Sequence, residues 1–163
     1  MLHVCRELEA LLRNDPRAKG LVQARLQSDM FYERTRNGRG IILRDFGTIA
    51  SCAFLWETDY TPGSINGVHA ERIFELGCVY EKSGCRHLRF MEQAVLACTQ
   101  QLACSERAIA VTKSRRVARF VRYLGWKEQP RETWLPIVQY REHREDPHLM
   151  KRKIFLSPNQ WES

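Results

Sequence analysis

Apolar residues recur at helical spacing near the start of the chain and at strand-like spacing soon afterwards. Two helices are predicted first, over residues 3–13 and 18–26, where apolar side chains return every three or four positions. Two strands follow, over residues 40–46 and 49–58. The turn signal Asp45-Phe46-Gly47 between them predicts an antiparallel hairpin.

The rest of the chain alternates strands and helices. Residues 59–68 are rich in turn formers and indicate a loop, and the apolar run of residues 69–80 predicts a third strand. The further predicted elements are a long helix beginning near Gly84, a buried strand over residues 108–111, a helix ending at Gly125, and strands over residues 134–140 and 149–156. The order ααββ-β-αβα-ββ predicts one α/β domain over residues 1–163, built on a mixed sheet flanked by helices.

Composition narrows the class of protein. The chain has 163 residues, of which 44% are hydrophobic and 28% charged, so it is expected to fold rather than remain disordered. Arg6, Glu7 and Glu9 interrupt the apolar core that a signal peptide needs, and residues 49–56 are too few to cross a bilayer. The six cysteines form no Cys-x-x-Cys pair, and no histidine pair has zinc spacing. We therefore expect a cytoplasmic protein with reduced thiols, no metal and no membrane contact.

Positive charge is concentrated in one short segment. The net charge is +7, and residues 113–127 carry six basic side chains and no acid: Lys113, Arg115, Arg116, Arg119, Arg122 and Lys127. Such a segment predicts contact with an anion, namely a phosphorylated cofactor, a nucleic acid or an acidic partner. A solvated basic face is the alternative interpretation.

A second concentration of basic residues follows the third predicted strand. Arg86, His87 and Arg89 lie near the predicted helix start at Gly84, and the predicted helix has no acid before Glu92. Cations are unfavourable at a helix N-terminus, by ~0.3–1 kcal/mol each. The arrangement is favourable if backbone N–H groups there hold an anion such as phosphate. Otherwise the basic side chains extend into water.

Residues 108–126 add a pattern that resembles a known superfamily. A buried strand runs into a helix that ends in Leu124-Gly125-Trp126, and this resembles the GNAT acyltransferases. Ser114 takes the place of the usual asparagine, and the strand of residues 74–79 is similar to the central strand that pairs with the pantetheine arm of acyl-coenzyme A (CoA). The resemblance implies a GNAT-like mixed sheet flanked by helices, and acetyl-CoA or another acyl-CoA as cofactor.

The resemblance also implies which residues contact the cofactor, although this sequence lacks parts of the superfamily's motifs. The superfamily's phosphate turn, R/Q-x-x-G-x-G/A, falls on residues 83–88, where only the small Gly84 position matches, and Val121 replaces the usual tyrosine acid. The implied cofactor contacts are Cys78, Val79, Gly84, Cys85, Arg86, His87, Leu88, Arg89 and Ser114.

The implied reaction is acyl transfer from a thioester to the amine of a small molecule or peptide. Glu75 resembles the acidic base that some members carry on the central strand, although a salt-bridged strand carboxylate is an equal interpretation. Glu71 is a weaker substitute for the base, and Tyr123 is a weak candidate for the acid. Cys78 or Cys85 could act as a nucleophile, but a packed thiol is preferred. The N–H of Cys78 or Val79 could polarise the thioester carbonyl.

Two further interpretations stay open at this point. The Glu-Leu strand and the Gly125-Trp126 ending also resemble acyl-homoserine-lactone synthases. The third interpretation is a GNAT-like module without activity that binds CoA, nucleic acid or protein, with the basic helix as its binding surface.

Overall fold

The computed structural model describes residues 2–14, 39–58, 70–82, 89–130, 132 and 152–158. Nine helices and strands are described within these ranges. In chain order they are α1 (Leu2–Asn14), β1 (Arg39–Asp45), β2 (Thr48–Glu57), β3 (Arg72–Glu81), α2 (Phe90–Thr99), β4 (Glu106–Thr112), α3 (Arg115–Tyr123), β5 (Lys127–Glu128) and β6 (Lys153–Leu156). The helix predicted over residues 18–26, the loop over 59–68 and the strand over 134–140 lie outside the described residues.

The six described strands form one sheet in the order β1-β2-β3-β4-β6-β5. β1 pairs with β2 antiparallel, β3 with β4 parallel, and β6 with both β4 and β5 antiparallel. Parallel and antiparallel pairings therefore coexist, and the predicted α/β class with a mixed sheet is confirmed.

The chain groups into two compact units. The first comprises Met1–Trp56 and Gly77–Cys98, and the second comprises Glu57–Leu76 and Thr99–Ser163. The single domain expected over residues 1–163 stays a prediction.

The core of the first unit forms around β2, which is buried from Ile49 to Trp56. Its central cluster contains Leu8, Ile49, Cys52, Phe54, Trp56 and Tyr80. The register pairs Leu43 with Ser51 but Arg44 with Ile49, so β2 has one extra residue between them. This bulge allows Ile49 to join Cys52 in the cluster, although strict alternation would place the two on opposite faces.

The β1–β2 hairpin is confirmed at the predicted turn. Phe46 (φ 48°) and Gly47 (φ 81°) are the two residues between the strands. Positive φ at both positions is typical of the tight turns that match the twist of paired strands. Glycine adopts this conformation readily, whereas the fully exposed Phe46 adopts it at a cost.

The second unit is organised around β4. Its first four residues pair with Arg72–Glu75 of β3, and its last four pair with β6. Ser157, just after β6, is buried and forms two hydrogen bonds with Ala108 of β4. Its N–H donates to the carbonyl of Ala108, and its Oγ accepts from the N–H of Ala108 at 2.9 Å. The Arg107 guanidinium donates to the carbonyl of Ser157 as well.

The predicted boundaries of four elements were wrong. β4 covers Glu106–Thr112 rather than 108–111, and β6 begins at Lys153 rather than residue 149. β3 begins at Arg72 rather than residue 69, because the N–H of Glu71 donates to Ser105 in a turn at 2.7 Å. α2 begins at Phe90 rather than near Gly84, and it ends at Thr99. The sequence spacing of Leu88, Met91, Val95, Cys98 and Leu102 at alternating steps of three and four predicts a helix that continues to Leu102. Leu102 is buried, as this spacing predicts, but it lies in a turn in which its N–H donates to the carbonyl of Thr99.

Candidate functional site

Glu75 is the one acid on β3 that is almost completely buried, with 2% of its surface exposed. Its neighbours along the strand, Ile73, Phe74 and Leu76, are buried apolar residues. Its Cα faces Ile109 of β4, and the parallel register between the two strands ends at this pair. Burial among apolar side chains is unfavourable for a charged carboxyl group, and the proton-accepting role expected for Glu75 stays a prediction.

The two weaker candidates for proton transfer lie in different surroundings. Glu71 is exposed in the turn before β3. Tyr123 is 67% exposed at the C-terminal end of α3. Neither is enclosed by protein, so neither has the water-excluded environment in which acidic and basic side chains act in catalysis.

The expected cofactor contacts divide between described and undescribed residues. Cys78 and Val79 belong to β3, and Val79 is half-buried. Arg89 is exposed and directly precedes α2, with φ 56°. The remaining turn residues, Gly84, Cys85, Arg86, His87 and Leu88, lie outside the described part of the chain.

The N-terminus of α2 is occupied by an anion from the chain itself. The N–H of Met91 donates to Oε2 of Glu81 at 3.0 Å, and Glu81 is the last residue of β3. A carboxylate there is favourable with the free N–H groups and with the helix dipole. The basic residues predicted an anion near this terminus, but they did not indicate Glu81, because that acid belongs to the preceding strand rather than to the first turn of the helix.

Ser114 begins the second candidate phosphate region. Its Oγ accepts from the N–H of Val117 at 3.3 Å, which caps α3, and its own N–H donates to Oγ1 of Thr112 at 3.0 Å. α3 ends as predicted, with φ 87° at Gly125 and a bond from the Trp126 N–H to the carbonyl of Val121. The Leu-Gly-Trp ending is therefore a local helix stop.

A groove of about 480 Å³ runs along α3, and we call it the α3 groove. Ser114 and Ala118 line it together with five cations: Lys113, Arg115, Arg119, Arg122 and Lys153. Lys153 is contributed by β6, whose first residue pairs with Thr112. The basic segment is therefore only partly a solvated face, since four of its members line this one concavity.

The cations of the α3 groove differ in their partners. Glu128 pairs with Arg122 at 2.9 Å and with Lys153 at 3.8 Å, and the Arg122 guanidinium also lies 5.2 Å from the ring centre of Phe155. Within the described ranges, no acidic side chain pairs with Lys113, Arg115 or Arg119. The groove therefore keeps an uncompensated positive potential towards its Ser114 end.

Of the three cysteines whose side chains are described, Cys52 and Cys98 are packed in the interior and Cys104 is exposed. The Sγ of Cys98 lies 3.7 Å from the carbonyl oxygen of Ala53 and 3.8 Å from that of Arg39. Burial raises the pKa of Cys98 to about 12, which keeps the thiol protonated. Cys52 is buried in the core of the first unit, and Cys104 is exposed. The side chains of the candidate nucleophiles Cys78 and Cys85 lie outside the described set.

A further ionic cluster in the second unit fixes strand ends. Arg72 contacts Glu57 at 2.5 Å and the buried Glu106 at 3.5 Å, while the other carboxylate oxygen of Glu106 accepts from the N–H of Ala103.

Across the described residues, no three histidine, cysteine, aspartate or glutamate side chains form a group that could hold a metal ion. None of the described helices is long and apolar enough to cross a membrane.

Comparison with known proteins found similarity to solved structures. No family model matches the chain, and no curated protein matches it by sequence. The crystal structure of an acetyltransferase of the GNAT family from Staphylococcus aureus Mu50 is similar in structure, with a TM-score of 0.47 and 14% identity. The match covers 89% of this chain and 77% of that chain.

Proposed function

We propose that this protein is an acyl-CoA-dependent N-acyltransferase that uses acetyl-CoA or another acyl-CoA and acylates the amine of a small molecule or peptide. The observation that carries the proposal is the buried carboxyl of Glu75, on β3 at the end of its parallel pairing with β4. The order of elements that the GNAT resemblance implies is a second support, because β3, α2, β4 and α3 follow one another as expected.

Three groups of residues would bind the cofactor. The pantetheine amides would pair with the backbone of β3 at Cys78 and Val79, and the pyrophosphate would lie on the N–H groups of residues 84–89. The 3′-phosphate would lie at the start of α3, where Lys113, Arg115 and Arg116 are the basic residues near Ser114; Lys113 and Arg115 line the α3 groove, and Arg116 does not. The helix cap and the unpaired charge at that end of the α3 groove favour a doubly charged phosphate.

Glu81 limits where the pyrophosphate can bind. Its carboxylate already accepts from the N–H of Met91 at the start of α2. A pyrophosphate bound nearby would meet a like charge, so it must either displace Glu81 or use only N–H groups that precede Met91. Cofactor binding therefore includes a repulsion that the substitution of Glu81 would remove.

The chemistry requires one base and a polarised carbonyl. The amine nitrogen attacks the thioester carbon, the C–N bond forms, and the C–S bond breaks to release CoA thiolate. Glu75 accepts the proton that the amine loses, directly or through one water, and the thiolate takes a proton from solvent. A backbone N–H at Cys78 or Val79 stabilises the oxyanion that forms on the carbonyl. Val121, fully buried in α3, offers no acid at the position where the superfamily carries tyrosine.

Calorimetry with CoA and dephospho-CoA tests the cofactor part of the proposal. Arg86→Glu is expected to weaken CoA binding by at least about tenfold, or ~1.4 kcal/mol. Dephospho-CoA is expected to bind more weakly than CoA to the unmutated protein, and Lys113→Glu is expected to remove that difference. Arg116→Glu is the control, because Arg116 is exposed on α3 but does not line the α3 groove.

The contradicting results are specific. Unchanged affinity in Arg86→Glu would move the pyrophosphate away from residues 84–89. Equal affinities for CoA and dephospho-CoA would remove the 3′-phosphate from the start of α3. No heat and no change in melting temperature with any acyl-CoA would contradict the function itself.

A further inference from the structure

The α3 groove carries more uncompensated positive charge than one cofactor phosphate needs. Lys113, Arg115 and Arg119 have no acidic partner among the described residues, and all three are exposed. One terminal phosphate at Ser114 and Lys113 leaves Arg119 more than a helical turn away. We propose that the α3 groove binds the phosphate backbone of a single-stranded nucleic acid.

The spacing of the arginines suits a chain of phosphates. Arg115, Arg119 and Arg122 lie at positions i, i+4 and i+7 of α3, so they share one helix face. At ~1.5 Å per residue they extend over about 10 Å. A row of this length is longer than one phosphate group, so it suits several phosphates of one strand rather than a single phosphate.

The shape of the site favours a single strand over a duplex. A helix that reads duplex DNA must protrude in order to enter a major groove about 12 Å wide. Here the arginines line a concavity, and Lys153 of β6 also lines it, so the ligand must enter the protein. Single strands enter basic grooves of this kind and add stacking of bases on aromatic rings.

An exposed aromatic ring is available beside the groove. Tyr123 is 67% exposed and follows Arg119 by four residues, so the two side chains are neighbours on the surface of α3. An aromatic ring next to a phosphate-binding arginine provides a surface on which an unpaired base can stack, independent of sequence. The groove and Tyr123 together predict binding with weak sequence preference.

Fluorescence anisotropy with a labelled, mixed-sequence 12-nucleotide RNA tests the proposal. Phosphate contacts by Arg115 and Arg119, the two arginines of the groove without an acidic partner, predict a slope of about −1.4 for log affinity against log salt, which is about sevenfold between 50 and 200 mM. Arg119→Glu should weaken binding at least about tenfold and flatten the slope by about 0.7 or more. Arg116→Glu makes the same charge change on the same helix outside the groove, and should weaken binding less than about threefold. Arg115→Glu provides a second groove variant should Arg119→Glu fold poorly by thermal melting.

Each other outcome overturns the proposal. Equal losses in Arg119→Glu and Arg116→Glu would show general attraction to net charge rather than a groove. Tighter binding of the matching duplex would exclude the single strand as the ligand. Displacement of the RNA by stoichiometric CoA would assign the whole groove to the cofactor, and the absence of binding at 50 mM salt would remove nucleic acid altogether. Calorimetry with CoA is a separate measurement, so failure here leaves the acyltransferase proposal intact.

Discussion

Gly77 lies in β3, one residue before the proposed pantetheine contacts, and it packs against a tryptophan. A Cβ at position 77 would meet three atoms of the six-membered ring of Trp56, at 2.6, 2.8 and 2.9 Å. Trp56 is 2% exposed and belongs to the core cluster of the first unit, so its ring has little room to move. Gly77→Ala must therefore displace either the ring or the strand.

The cost follows from these distances. All three contacts are shorter than real Cβ atoms tolerate, and overpacking of a filled core costs about 1–3 kcal/mol. For a chain of this size, 1 kcal/mol corresponds to about 2–4 °C in Tm. The Gly77→Ala variant should therefore melt about 2–12 °C below the unmutated protein, and CoA binding should weaken if the strand moves.

A double-mutant cycle identifies the cause. Trp56→Phe removes the outer ring atoms that the new methyl group would meet, although it destabilises the protein by leaving a cavity. In this background, Gly77→Ala should cost at least about 1 kcal/mol less than it does alone, as measured by urea unfolding. Strictly additive costs would refute the argument, because the loss would then arise from the backbone of β3 rather than from contact with the indole.

Three other predictions concern the hairpin, the thiols and the anion at α2. Phe46→Asn should raise stability by about 1 kcal/mol, because asparagine tolerates a φ of 48° and the ring of Phe46 is 101% exposed; Phe46→Ala, which keeps the backbone cost, should not. At pH 8 maleimide should label Cys104 and spare Cys98, because the pKa of Cys98, about 12, keeps its thiol protonated. Peptide mass spectrometry that finds both cysteines labelled in the folded protein would contradict the packing. Glu81→Gln should lower Tm slightly and tighten CoA binding about threefold, because it removes a like charge worth ~0.3–1 kcal/mol. Weaker CoA binding by calorimetry would show that Glu81 assists cofactor binding.

The elements that depend on local chemistry could be predicted from the sequence. The hairpin turn needs only Phe46-Gly47 between two apolar runs, and the end of α3 needs only Gly125 after its last apolar residue. Both were confirmed at the expected residues. The apolar spacing in the long helix predicted from near Gly84 placed Cys98 and Leu102 in the interior correctly, but spacing alone does not determine where the helix stops.

Features that depend on contacts between distant segments could not be predicted. β5 has only two residues, and it forms because Lys127 and Glu128 pair with Leu156 and Phe155 of β6. The bulge in β2 follows from its pairing with β1. The α3 groove is a third example, since the basic segment was evident, but Lys153 joins it from β6.

Acyl transfer with Glu75 as the base is the central claim, and turnover of the Glu75→Gln variant tests it most directly. Glutamine keeps the shape of the side chain and removes its basicity. With acetyl-CoA and a panel of amines analysed by mass spectrometry, the unmutated protein should acylate at least one amine. Glu75→Gln should lower that turnover by ~10²–10⁴-fold while leaving CoA affinity nearly unchanged. Turnover that survives the substitution would make Glu75 a structural carboxylate, and no product with any amine in the unmutated protein would contradict the enzyme itself.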